Sequence, residues 1–282
     1  MQTRVNHSDL NQYNYKNNAI THAELGLKST LYLAYRDLPD LLKKHSFGVN
    51  NKNKYRLLDF GCGAGLSTEI LSRIIKNCGF SVDIYGVDIN SENLELAKKR
   101  LPSGKFQQID VGKPIENLGT FDIVICNFVL LEHNDKEMLR ILGQIHPLVS
   151  EQGVLLVTNC TGKAYNTSHK WYSFNNNFSE NTPTEINTKG KLKLKDNQPV
   201  KLQVLSYDTG SSFCFFDYFH SGRAYREAYT KLGFSLVDTH KPMGRDSDGI
   251  EWKDEKNVSP YKIHVLKKEK VALEFKQIRS RL

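Results

Sequence analysis

Between residues 55 and 159, five short apolar runs alternate with helical segments, and this order constrains the fold more than any other feature of the chain. Residues 55–60 (YRLLDF) read as a buried strand that runs into a glycine cluster. Residues 66–76 then set Leu66, Ile70, Leu71, Ile74 and Ile75 at helical spacing. Residues 82–87 form a second strand, and 91–100 a helix with Ser91 as its N-cap. A short third strand at 106–109, a strongly β-like fourth at 121–126 (FDIVIC), a helix at 136–149 and a fifth strand at 153–159 complete the series. Such alternation predicts an α/β fold, a doubly wound sheet of about seven mostly parallel strands with helices on both faces. Right-handed crossovers then bring the strands' C-terminal ends to one edge, where folds of this kind bind ligands.

Beyond residue 160 the alternation stops. Residues 161–190 are polar and Asn- and Thr-rich and read as a long loop, and 191–205 (KLKLKDNQPVKLQVL) as a β-hairpin turning at DNQP. Helical spacing returns at 222–232, and two last strands follow at 234–240 and 261–266. The expected organisation is an N-terminal helical extension or lid over 1–50, a core of 51–160 and 221–266, an inserted cap at 161–220 and a basic tail at 267–282.

Composition narrows the function classes. No apolar run approaches the roughly 20 residues of a membrane-spanning helix, and the polar N-terminus lacks the apolar core of a secretory signal. The five cysteines (Cys62, Cys78, Cys126, Cys160 and Cys214) include no CxxC pair, which argues for a reducing, cytoplasmic setting and no metal site. The net charge of +8 is concentrated in residues 188–201 and 266–282, each +4, while the rest of the chain is neutral. A nucleic-acid binder spreads its basic charge over the face that meets phosphates, so this pattern weighs against such a partner.

The strongest chemical signal is Asp59-Phe60-Gly61-Cys62-Gly63-Ala64-Gly65. A strand ends in an acid, and glycines turn the chain tightly into a helix whose N-terminus offers free N–H groups. A nucleotide-like ligand belongs there. The dinucleotide fingerprint would require Gly or Ala at position 66, where this chain has Leu66. No tyrosine has a lysine four residues on, so the Tyr-x-x-x-Lys pair of short-chain hydride-transfer enzymes is missing too.

Over residues 55–159 the sequence resembles the class I S-adenosylmethionine-dependent methyltransferases, which have a Rossmann-like fold. The resemblance implies that Asp59, Gly61, Cys62, Gly63 and Gly65 cradle the methionine end of S-adenosyl-L-methionine. It implies Asp88, closing the second strand, on the ribose hydroxyls with Ile89 beside the adenine. Asp110 would meet the adenine amino group with Val111 next to it, and Asn127 and Phe128 would form the cofactor rim. A single GxGxG is weak evidence, but four pieces in order, each at a strand's C-terminal end, are hard to obtain by chance. The sulfonium makes the methyl group electrophilic, so the protein's task is in-line SN2 geometry, exclusion of water and, where needed, a base.

His133, at the end of LLEH, is the candidate base; a capping or surface histidine is the alternative. Asp217, Tyr218 and His220 in the aromatic FCFFDYFHSGRAY stretch, Tyr172 in the polar insertion and Tyr15 in the N-terminal extension are candidate acceptor contacts. Trp171, Phe174 and Phe178 either cover an acceptor or pin the insertion to the body. The chain reads Cys126-Asn127-Phe128-Val129 where nucleobase amino-methyltransferases carry an Asn/Asp-Pro-Pro-aromatic signature. The departure favours a small-molecule acceptor. An RNA or protein methyltransferase, a catalytically silent cofactor-binding module and an NAD-dependent oxidoreductase remain as alternatives.

Overall fold

A computed structural model describes residues 28–47, 52–206 and 210–269. Tyr15 and positions 270–282 of the basic tail lie outside the described residues. The central sheet has seven strands: β1 (Lys54–Phe60), β2 (Ser81–Asp88), β3 (Lys105–Gln108), β4 (Phe121–Asn127), β5 (Val149–Cys160), β11 (Phe234–His240) and β12 (Tyr261–Lys268), in the order β11-β12-β5-β4-β1-β2-β3. From β3 to β5 all pairings are parallel, while β12 runs antiparallel to both β5 and β11.

Period-two alternation along the buried strands feeds a core on each face. Leu57, Ile123, Ile125 and Leu156 pack on one side against α1 (Leu38–His45) and α2 (Leu66–Asn77). Leu58, Val124, Cys126 and Leu155 pack on the other against α4 (Asp135–Ile145) and α5 (Gly222–Lys231). The fifth helix, α3 (Ser91–Arg100), sits against β2 and β3. Its N-cap is Asn90 rather than Ser91: the Asn90 side chain accepts from Glu92 N and Asn93 N. The helix expected over 136–149 ends at Ile145, and β5 starts at Val149. Pro147 lacks an N–H and so cannot extend the α-helical ladder; the chain makes a short 3-10 turn and enters the strand early.

The segment 161–220 folds over the strands' C-terminal edge. Its β9 (Gln198–Leu205) lies between β10 (Ser212–Phe219) and the short β6 (Phe174–Asn175) in a three-stranded antiparallel sheet. The hairpin expected over 191–205 does not form: β8 (Leu192–Lys193) pairs instead with β7 (Glu185–Ile186). The turn's polar groups are committed elsewhere. Ser221 Oγ donates to Asp196 at 2.9 Å, and Asn197 Oδ1 accepts from Asp135 N at 2.8 Å. Strand alternation specifies a face but not a partner, and here the long-range bonds chose the partner. Buried asparagines organise the stretch that reads as loop. Asn176 Nδ2 donates to Ala164 O and Asn166 O, and Asn181 Nδ2 to Asn176 O and Lys201 O.

Candidate functional site

The loop leaving β1 is built by backbone geometry that glycine alone accommodates cheaply. Gly61 has φ +75°, and a Cβ there would overlap Val129 Cγ2; Gly65 has φ +82° and its Cβ would stand 3.1 Å from Ala97. Gly61 N and Cys62 N donate to Val87 O at 2.8 and 3.0 Å, and Gly63 N donates to Asp88 Oδ2 at 2.8 Å. The Asp88 carboxylate, which also accepts from Asn90 N at 2.9 Å, thus ties the loop to the end of β2. Burial raises its pKa, opposed by the N–H groups it accepts from.

A cavity of about 670 Å³ opens over these residues. Gly61, Cys62, Gly63, Asp88, Ile89, Asp110, Val111, Asn127, Phe128 and His133 all line it. Asp59 and Gly65 do not. Asp59 is buried behind the loop, where one oxygen accepts from Ser67 and, at 2.6 Å, from Thr68 Oγ1. Its other oxygen has no hydrogen-bond partner among the described residues, and burial pushes its pKa up to about 6. Asp110 sits at the exposed rim, with Lys113 Nζ 2.7 Å from its carboxylate. Phe128 takes left-handed backbone, φ +58°, rare for a bulky residue and worth roughly 1–2 kcal/mol of strain. Its N–H donates to Thr158 O at 2.9 Å, and its ring meets Tyr261 edge-on, centroids 5.1 Å apart.

Beyond Phe128 the cavity turns apolar under the inserted sheet. Phe213, Phe215 and Asp217 alternate along β10 towards it, as Leu202 and Val204 do along β9; Phe174, Leu31, Tyr35 and Tyr261 complete the wall. Tyr218, one residue out of phase with Asp217, does not line the cavity. His220 is buried elsewhere, its Nε2 2.8 Å from His133 O and its Nδ1 3.2 Å from Asp135, so it pins the end of β10 to the start of α4. Tyr172 packs edge-on against Trp252, and its backbone N–H donates to the buried Glu255, again as a pin. Trp171 donates from Nε1 to Ala164 O and stacks on Phe174, and Phe178 lies under the Lys201 ammonium. Tyr172, Tyr218 and His220, expected as acceptor contacts, do not line the cavity. Leu31, Tyr35, Leu202, Val204, Phe213 and Phe215 were not singled out by sequence. The one signal that could have found part of this wall is the alternation at 213, 215 and 217.

Asp217 is fully buried. Tyr165 Oη donates to its Oδ2 at 2.7 Å, and Oδ1 has no partner among the described residues. Burial raises its pKa to about 8, with the Tyr165 hydrogen bond pulling the other way. An ordinary unfolded carboxyl titrates near 4, so between about pH 4 and 8 folding takes up a proton at this position. The associated stability is complete below pH 4 and lost as pH rises through 8. Asp59 contributes the same sign only up to about pH 6. Between pH 6 and 7.5, wild-type stability should therefore fall by up to about 1.4 kcal/mol per pH unit relative to Asp217→Asn. Urea unfolding of both proteins at several pH values checks this; parallel pH profiles would refute a neutral Asp217.

A family model described as "Methyltransferase domain" matches residues 51–203, more than half of the chain. The chain belongs to this methyltransferase-domain family. Its sheet order and glycine loop are those of the class I S-adenosylmethionine-dependent methyltransferases. It is 35% identical over 94 residues to a ubiquinone biosynthesis O-methyltransferase of Colwellia psychrerythraea, covering 30% of this chain and 35% of that protein. It is 33% identical over 94 residues to a trans-aconitate 2-methyltransferase of Rhodopseudomonas palustris, covering 33% of this chain and 35% of that one. The matches thus span about a third of the length of these curated relatives. In three dimensions it superposes on a S-adenosylmethionine-dependent methyltransferase from Clostridium acetobutylicum with a TM-score of 0.56 at 13% identity, covering 93% of this chain and all of that one, a likeness of fold.

Proposed function

We propose that this chain transfers a methyl group from S-adenosylmethionine to an O, N or C atom of a small molecule. The observation that carries the reading is one continuous cavity, with the glycine loop and Asp88 at one end and an apolar compartment under the inserted sheet at the other. The residues present fit the cofactor. The side-chain amide of Asn127, which lines the cavity, is buried without a hydrogen-bond partner among the described residues, a cost that a polar ligand would relieve. Gly61, Cys62 and Gly63 would hold its methionine end, Asp88 its ribose hydroxyls, and Ile89, Asp110 and Val111 its adenine.

Bound there, S-adenosylmethionine supplies an electrophilic methyl group on a sulfonium. The protein orients the acceptor in line with it and keeps water out; Phe128 and Tyr261 form the rim between the two compartments. His133 lines the cavity with Nδ1 3.5 Å from Glu137 and is the proposed base for acceptors that must lose a proton. The inserted segment 161–220 supplies most of the acceptor wall and acts as its cap. No helix among the described residues is long and apolar enough to cross a membrane, and Cys62, Cys78, Cys126, Cys160 and Cys214 are all free thiols, which supports a cytoplasmic setting.

A thermal-shift titration tests the cofactor assignment. Ligand at a hundredfold excess over its dissociation constant adds roughly 2.7 kcal/mol of stability. S-Adenosylhomocysteine should raise the melting temperature and NADH should leave it unchanged. A shift with NADH alone would return the glycine loop to the dinucleotide class.

A further inference from the structure

The acceptor compartment differs from the cofactor end in its chemistry. Its wall is built by Leu31, Phe174, Leu202, Val204, Phe213 and Phe215, and Asp217 is the buried carboxyl set among them. The Asp, Glu, Lys and Arg residues among the described residues that line the cavity are all acidic: Asp88, Glu92, Asp110, Glu132 and Asp217. An anionic acceptor entering here would be desolvated against apolar walls with no lysine or arginine among the described lining residues to meet it. Transfer of an unpaired charge to such a place is strongly unfavourable. A purely apolar acceptor would leave Asp217 Oδ1 as unsatisfied as it is now.

We propose that the acceptor is an apolar-bodied, uncharged molecule whose hydroxyl group, able to accept as well as donate, hydrogen-bonds to Asp217 Oδ1, and that carboxylate and phosphate acceptors are excluded. The inference rests on the methyltransferase reading for the word acceptor, but its binding preference is independent of it. Tyr165 fixes the carboxyl by its bond to Oδ2 and leaves Oδ1 buried without a partner among the described residues. The groups facing Asp217 are Tyr165, Cys160 from β5, Tyr225 from α5 and Tyr261 from β12, and burial holds all four uncharged. Among the described residues no cation is paired with the carboxyl, so an uncharged hydrogen-bonding group is its natural complement.

The test uses the full chain and three probes of similar size: 2-naphthol, indole and 2-naphthoate, titrated by calorimetry with and without S-adenosylhomocysteine at pH 7. The naphthol should bind at least tenfold tighter than the naphthoate, with the indole, which donates but does not accept, between the two. In Asp217→Leu the affinity for 2-naphthol should fall by fivefold or more, which narrows that preference, while affinity for S-adenosylhomocysteine stays within twofold of wild type. Asp217→Asn, which keeps a polar oxygen and the shape of the side chain, should retain the preference and covers the case in which the leucine variant does not fold. Equal or tighter binding of 2-naphthoate overturns the proposal, as does failure of all three probes to bind or an undiminished preference in Asp217→Leu. Failure of S-adenosylhomocysteine to bind, with the probe preference intact, would overturn the methyltransferase reading and leave the character of this compartment standing.

Discussion

Asp88→Ala is expected to weaken S-adenosylhomocysteine binding by about a hundredfold or more. Hydrogen bonds from a ligand hydroxyl to a charged group contribute about 1.5–3 kcal/mol each, and a ribose offers two hydroxyls. The same carboxylate holds the glycine loop through Gly63 N and the turn into α3 through Asn90 N. Alanine therefore removes a ligand contact and also frees two backbone donors on the wall of the site. Asp88→Asn retains the shape and one acceptor oxygen but not the charge, and should fall between the two, at about tenfold. Isothermal titration of the three proteins decides the matter, and an alanine variant within threefold of wild type would remove Asp88 from the cofactor site.

Gly61→Ala should damage both stability and binding. Left-handed backbone costs a residue with a Cβ about 1–2 kcal/mol, and forcing a methyl group into filled space costs about 1–3 kcal/mol more. At Gly61 both terms apply, since φ is +75° and the new Cβ would overlap Val129 Cγ2. The expected loss is about 2–4 kcal/mol, with the loop displaced and cofactor affinity lost with it. Adding Val129→Ala to this variant removes the overlapping methyl but leaves the dihedral strain, so about half of the loss should return. Urea unfolding of single and double variants separates the two terms. A single variant destabilised by less than about 0.5 kcal/mol, the scale of ordinary surface changes, would show that the loop tolerates a side chain.

These two predictions bear on residues that the sequence already singled out, because a strand-end acid and a glycine turn are local features. Each needs only its neighbours along the chain to be recognised, and the family resemblance added their order. Hence the class of fold, the sheet of seven mostly parallel strands and the line of residues from Gly61 through Phe128 could be read before any coordinates. Local signals also misled. A hairpin pattern at 191–205 supplied strands that pair with distant partners, and the apolar run ending at Val149 hid the stop imposed by Pro147.

What tertiary structure alone decided is which side chains meet across long separations in the chain. Asp217 and His220 stand three residues apart, and sequence gives them equal claim to the acceptor. Folding sends one to the cavity wall beside Tyr165 and the other into a buried bond with the backbone of His133. Tyr35, from before the first strand, and Leu202, from the inserted sheet, share a wall with Gly61 although nothing local links them. The physical reason is that covalent connectivity and hydrophobic period determine which face a residue presents, whereas its surroundings depend on partners chosen by packing and by long-range hydrogen bonds. The proposed cofactor half is built from local motifs that are legible in the sequence; the proposed acceptor half is assembled from distant segments and could be read only once they were brought together.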